Sequence, residues 1–352
     1  MFDVQKLIRE NIKTLVPYSS ARDEFKGEAK VFLDANENSL GSPLTKWYNR
    51  YPDPHQQKIK AALSAIKHVS SEQIFIGNGS DECIDILFRC FCNPGKDNII
   101  ICPPTYGMYE VSANVNDVEI RKAPLLDDFQ LNLAHIETLT DTNTKIIWLC
   151  SPNNPTGNSL NRADIETVLN NFDGLVIIDE AYINFSKQKS FVADLLDYPN
   201  LVVLQTLSKA WGLAGLRLGM AFASSEIVEV MNKVKPPYNI NQATQELVLK
   251  ALEEVGQVND MIRILVDMRA ALMDVFATMP TVEKVYVSDA NFFLVKIKNA
   301  KAVYDFLLTK GIVVRDRSKV ILCEDCLRIT IGTEKENTDL VDAMQDWYTT
   351  IH

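Results

Sequence analysis

The feature that most restricts the fold lies between about residues 55 and 223, where short, almost wholly apolar runs alternate with amphipathic stretches of helical period. The runs are QIFIG, NIIIC, KIIWLC, LVIIDE, LVVLQ and LGMAFA, rich in Ile, Val and Leu. A strand with one wet face would alternate apolar with polar residues, so continuous apolarity predicts strands covered on both sides. Regular alternation with helices then predicts a mainly parallel sheet between two helical layers, a three-layer α/β domain. Pro236 and Pro237 end the last helix of this region, and a long helical tract follows from about Gln242 to Thr278. The remainder reads as strand (VEKVYV), strand (NFFLVKI), helix (300–310), strand (GIVVRD), strand (CLRITI) and a closing helix, which makes a smaller α+β domain. The expected division is a large domain over 30–240 and a small domain built from 1–29 together with 241–352. No repeat or Gly/Ser linker separates the halves, so the two lobes are expected to share a cleft, a usual place for a ligand.

Composition narrows the function. With 47% hydrophobic and 23% charged residues the chain has material for packed cores and reads as a soluble globular protein. No apolar run approaches the roughly 20 residues that span a bilayer, and the opening MFDVQKLIRENIK lacks the apolar core of a signal peptide, so the cytoplasm is the expected location. A net charge of −10 argues against nucleic acid as a partner, because phosphate-backbone binding needs a clustered basic surface. Seven cysteines, an odd number, point to reduced thiols. Cys323 and Cys326 form a lone CxxC with no histidine nearby, and His55, His68, His135 and His352 show no ligand spacing, so no metal is expected.

Chemistry is sought beyond the carboxyl ends of the strands, where ligands of open α/β sheets gather. KIIWLC runs into Ser151-Pro-Asn-Asn154-Pro-Thr-Gly157, LVIIDE ends in Asp179-Glu180-Ala-Tyr182, and LVVLQ leads to Thr206-Leu-Ser208-Lys209. A lone lysine is usually a surface residue. Lys209, however, sits past an apolar strand, with hydroxyls before it and Arg217 eight residues on. A partly desolvated lysine beside another cation has a lowered pKa and can attack a carbonyl to form a Schiff base. Thr206, Ser208 and Arg217 together can hold a phosphate. Asp179 is either a structural ion pair or helix cap, or the partner of a protonated ring nitrogen, which makes the ring a better electron sink. Asn154 and Tyr182 can hydrogen-bond a ring oxygen. Gly77-Asn-Gly-Ser80-Asp81-Glu82 joins a strand to a helix, with Ser80 expected as its N-cap and the free amides there suited to an anion. Tyr106 is either a packed core aromatic or a ring that stacks on a flat ligand. Arg315 and Arg328 are either ion pairs at the lobe boundary or a fork for an anionic substrate group.

These segments together resemble the fold-type I pyridoxal-phosphate aminotransferases over essentially the whole chain. The SPNNPTG turn, the IIDEAY strand end and SKAWGLAGLRLG stand in that family's order. The resemblance implies the type I transferase fold and pyridoxal 5'-phosphate as cofactor. It assigns Lys209 to covalent attachment and proton transfer, Asp179 to the pyridine nitrogen, Asn154 and Tyr182 to the phenolic oxygen, Ser80, Asp81, Thr206, Ser208 and Arg217 to the phosphate, and Tyr106 to ring stacking. Four further stretches, LVPYSSAR, FLDANENSLGSP, RYPDP and GNGSDE, resemble the histidinol-phosphate aminotransferase branch. That implies L-histidinol phosphate and 2-oxoglutarate as substrates in histidine biosynthesis, with Tyr18, Asn36, Asn154, Arg315 and Arg328 at the substrate. It also implies a homodimer with shared sites, in which Tyr51 of the partner subunit reaches the cofactor phosphate. An aromatic amino acid aminotransferase and a pyridoxal-phosphate decarboxylase of amino-acid phosphates are the alternatives within enzymes. A ligand-sensing regulator would need an appended nucleic-acid-binding module that the sequence has no room for.

Overall fold

The structure, a computed structural model, describes residues 2–19 and 30–351. The apolar runs form the strands of a seven-stranded sheet: β1 (Ile74–Asn78), β2 (Asn98–Ile101), β3 (Glu119–Lys122), β4 (Thr144–Cys150), β5 (Leu175–Asp179), β6 (Leu201–Thr206) and β7 (Leu218–Phe222). Their order is β1-β7-β6-β5-β4-β2-β3. The pairs from β3 through β6 are parallel, and β7 runs antiparallel to both β6 and β1. Every residue of β2, β5, β6 and β7 is buried. Alternate side chains feed two cores: Val176, Ile178 and Val203 face one helical layer, while Ile177, Val202 and Leu204 face the other. Burying one such side chain stabilises by about 1.5–3 kcal/mol, so a polar substitution within these strands is costly. β3 is not among the expected strands. Its sequence, Glu-Ile-Arg-Lys, lies at the sheet edge and is only partly buried, where charged residues protect an open edge and no apolar run is needed.

The second sheet has the order β10-β11-β9-β8, with β8 (Val282–Val285), β9 (Phe292–Ile297), β10 (Arg315–Asp316) and β11 (Cys326–Thr330) paired antiparallel throughout. It packs through Phe293 and Val295 against Leu272, Phe276, Val303 and Leu340 from three helices. GIVVRD shortens to the two residues of β10. The expected long tract is two helices, Gln242–Leu252 and Val255–Ala277, parted at Glu253-Glu254.

Packing divides the chain differently from the expected 1–29 plus 241–352. Val4, Ile8 and Ile12 join the core beside Phe88 and Met231, and Arg9 N–H donates to Cys90 O at 3.0 Å. The described N-terminal residues therefore belong with the large sheet, because their apolar face finds its partners there; residues 20–29 lie outside the described residues. Val248 and Leu252 likewise pack into the large-lobe core, and the small lobe takes over within Val255–Ala277, at Leu272 and Phe276. No helix among the described residues is long and apolar enough to cross a membrane.

Candidate active site

β6, β5 and β4 are adjacent and parallel, so their carboxyl ends at Thr206, Asp179 and Cys150 lie side by side. A cavity of about 630 Å³ opens there. Ser80, Asp81, Tyr106, Asn154, Asp179, Tyr182, Thr206, Ser208, Lys209 and Arg217 line it from the large lobe, and Arg315, Arg317 and Arg328 from the small one.

One corner is built for an anion. Gly79 opens the helix Gly79–Phe91 with φ 74°, and a Cβ there would stand 2.5 Å from Arg217 Nη2. A Cβ on Gly219 would meet Ser80 N at 2.1 Å. Both glycines are thus needed for the arginine and the helix start to approach each other. Arg217 reaches Asp81 Oδ2 at 3.4 Å and Ser208 Oγ at 3.5 Å, and the Tyr106 hydroxyl donates to Asp81 Oδ1 at 3.1 Å. Ser80 is not the N-cap expected from the sequence. The helix starts earlier, at Gly79 after Asn78, and the Glu82 carboxylate takes the Asn78 N–H at 2.5 Å. The Ser80 hydroxyl is thereby left to the cavity, beside first-turn amides that favour an anion.

A second corner suits a protonated ring nitrogen. Asp179 is buried and pairs with no cation among the described residues; its oxygens accept from Tyr109 Oη at 2.7 Å and from Ala181 N–H at 3.0 Å. Burial raises its carboxyl above the usual range, and the two donors oppose that. Lys209 lies between the corners, with Nζ 5.7 Å from the centre of the Tyr182 ring. Burial lowers its ammonium below the usual lysine range, repulsion from Arg328 and Arg217 adds to the effect, and Asp179 only partly offsets it. On the third side Arg328 Nη1 donates to Asn154 Oδ1 at 2.6 Å, and Asn154 Nδ2 donates to the Tyr182 hydroxyl at 3.4 Å. A depressed amine, a buried carboxylate lacking a cation and an amide-phenol pair form one constellation for chemistry at an amine-bearing carbon.

The model of the class I and II aminotransferases matches residues 29–344. The chain belongs to this family. The histidinol-phosphate aminotransferase of Cytophaga hutchinsonii is 54% identical over 346 residues, covering 98% of this chain and 99% of that protein. Two solved structures share the aminotransferase fold. The histidinol-phosphate aminotransferase of Clostridium acetobutylicum superposes with a TM-score of 0.80 at 24% identity, over 86% of this chain and 92% of that one. That of Sinorhizobium meliloti, in complex with pyridoxal-5'-phosphate, gives 0.79 at 21% identity over 86% and 84%.

The residues present fit pyridoxal phosphate: the Gly79 cradle with Ser80, Ser208 and Arg217 suits its phosphate, Asp179 its ring nitrogen, Asn154 and Tyr182 its ring oxygen, and Lys209 its aldehyde. Three of the expected site residues are not brought into the cavity by their own chain. Tyr18 is exposed, and Asn36 and Tyr51 line a separate surface groove, where Tyr51 stacks on Tyr238 at 4.5 Å. Conversely, neither Tyr109 nor Arg317 is singled out by the sequence patterns above. Tyr109 follows Tyr106 by three residues, and Arg317 follows Arg315 by two, the strand period that puts both on one face. That spacing is a readable signal for the second but not for the first, whose contact with Asp179 arises only on folding.

Proposed function

We propose that this chain transfers the amino group of L-histidinol phosphate to 2-oxoglutarate, giving imidazole-acetol phosphate and L-glutamate, a step of histidine biosynthesis. The observation that carries the reading is the meeting of Lys209 and Asp179 in one cavity with Arg315, Arg317 and Arg328, which form no ion pair among the described residues, in a chain 54% identical to a histidinol-phosphate aminotransferase over 98% of its length. The cofactor is pyridoxal 5'-phosphate. When bound, it supplies an aldehyde for the substrate's amino group and a ring that takes up electrons as the adjacent C–H bond breaks.

The chain's own groups do the rest. Ser80, Ser208, Arg217 and the amides at the start of Gly79–Phe91 hold the phosphate, and Thr206, whose hydroxyl accepts from Ser208 N–H at 3.1 Å, sets the turn carrying Ser208. Asp179 keeps the ring nitrogen protonated. Asn154 and Tyr182 would hydrogen-bond the ring oxygen, and Tyr106, which lines the same cavity, would be available to stack on the ring. Lys209, as a free amine of lowered basicity, would take the proton from the substrate carbon and deliver it to the carbon that was the cofactor's aldehyde. Arg315 and Arg328 grip the anionic end of each substrate, a phosphate in one half-reaction and a carboxylate in the other.

The active unit is a homodimer. Val31, Leu33, Leu40, Leu44 and Trp47 are exposed in a stretch without helix or strand, next to the groove that holds Asn36 and Tyr51. An apolar stretch of this kind fits an interface between copies, and Tyr51 of the partner subunit would then complete the phosphate corner, with Tyr18 and Asn36 ordered at the substrate.

Coupled steady-state assays test the substrate. Higher kcat/KM for histidinol phosphate than for phenylalanine or tyrosine is expected. The reverse order makes the chain an aromatic aminotransferase, and carbon dioxide released from threonine phosphate makes it a decarboxylase.

A further inference from the structure

The small-lobe wall of the cavity holds more positive charge than a carboxylate requires. Arg315 and Arg328 stand directly opposite each other in the antiparallel register of β10 and β11. Arg317 extends the same ladder, its N–H donating to Cys326 O at 2.9 Å, and the period of two returns its side chain to the face of Arg315. All three arginines line the cavity, and among the described residues none forms an ion pair. The acid between them, Asp316, instead accepts from Ser318 N–H at 2.9 Å. Arg317 and Arg328 each carry a buried Nε without a hydrogen-bond partner. Burial lowers both guanidiniums, and repulsion within the trio, Arg315 on Arg317 and Arg317 on Arg328, is the next cause. Like charges set opposite each other across a ladder destabilise a sheet, so the arginine trio carries a cost that a bound anion relieves.

We propose that Arg317 is a third anion-binding residue of this site and that it sets the preference for a phosphate monoester dianion over a carboxylate. Two arginines already match the two oxygens and single charge of a carboxylate. A phosphate monoester offers three terminal oxygens and a charge of about −1.5 to −2, which leaves one oxygen and much of one charge for a third guanidinium. The inference rests on the proposed function for the identity of the substrate, but its claim about the anion can be read separately.

The test uses the cofactor-loaded full chain with Arg317→Gln and Arg317→Lys. Steady-state KM is measured for histidinol phosphate and for glutamate, and inorganic phosphate is titrated in by calorimetry. Arg317→Gln is expected to raise KM for histidinol phosphate about 10- to 100-fold, the loss of one charge-assisted hydrogen bond, while KM for glutamate moves less than about 3-fold. Arg317→Lys recovers part of the loss, and affinity for inorganic phosphate falls in parallel. An equal rise in both KM values would reveal a structural role and overturn the proposal, as would phosphate binding indifferent to Arg317. If wild-type protein ignores histidinol phosphate yet binds inorganic phosphate through Arg317, the proposed function fails and this inference stands.

Discussion

Replacing Tyr109 with phenylalanine removes a single oxygen atom, and the structure sets what that atom is worth. The Tyr109 hydroxyl lies 2.7 Å from Asp179 Oδ2, while its ring stacks on Trp148 at 4.8 Å and meets Tyr106 edge-on at 5.6 Å. The ring contacts survive the change, so the loss is confined to one hydrogen bond to a buried carboxylate, about 1.5–3 kcal/mol net. That loss lets the Asp179 carboxyl rise further, because a donor that favours its charged form is gone. The direction follows from the environment. Burial already raises this carboxyl above its unfolded value of 3.8, and Tyr109 opposes the rise, so phenylalanine lets it climb further. The tyrosine's contribution is complete where folded Asp179 is ionised and fades in acid as the folded carboxyl takes up a proton. Urea unfolding of the cofactor-free protein, wild type against Tyr109→Phe, is expected to show a loss that shrinks as pH falls and the folded carboxyl takes up its proton. In an Asp179→Asn background the loss should shrink to below about 1 kcal/mol, because the acceptor is no longer charged. An equal loss in both backgrounds would refute the reasoning and reduce Tyr109 to a packing residue.

Lys60 is buried beside Lys235, and burial followed by that repulsion lowers its ammonium to about 8 from 10.5. The unfolded chain therefore holds more protons between those values, so the cost of burying this lysine is full below the lower one and gone above the higher. Lys60→Met should stabilise the protein near neutral pH by up to about 3 kcal/mol, with the gain shrinking as pH rises, and a melting-temperature series that shows no gain or a constant one contradicts this. If the site is shared as proposed, Lys209→Ala and Tyr51→Ala chains, each of low activity alone, should recover up to about a quarter of wild-type activity when unfolded and refolded together, since half of the dimers would then be mixed and each would have one intact site. Activity equal to the average of the separate variants would place Tyr51 outside the partner's site.

The large sheet is legible because its strands are buried on both faces and so are written as unbroken apolar runs. β3 escapes that reading, since Glu119, Arg121 and Lys122 at an edge carry no burial signal. The positions of Lys209, Asp179 and Asn154 follow from one rule, that adjacent parallel strands deliver their carboxyl ends to the same place. The assignment of Ser80 as N-cap fails because capping preferences favour serine, whereas the left-handed Gly79 lets the helix begin earlier. Tyr109 is hidden in the sequence because its partner lies 70 positions away, and only the docking of Met108–Val115 near the end of β5 brings the two together. Tyr18, Asn36 and Tyr51 show the opposite limit: the resemblance gives them roles that a single chain's packing does not fulfil.

Near-ultraviolet to visible absorbance of the pyridoxal-phosphate-loaded protein, with and without histidinol phosphate, tests most directly whether Lys209 holds the cofactor within a site made for this substrate. In wild type the band of the lysine-linked cofactor should disappear on adding histidinol phosphate, and Lys209→Ala should lack that band from the outset. A wild-type band unmoved by histidinol phosphate, or the same band and the same response in Lys209→Ala, would contradict the assignment.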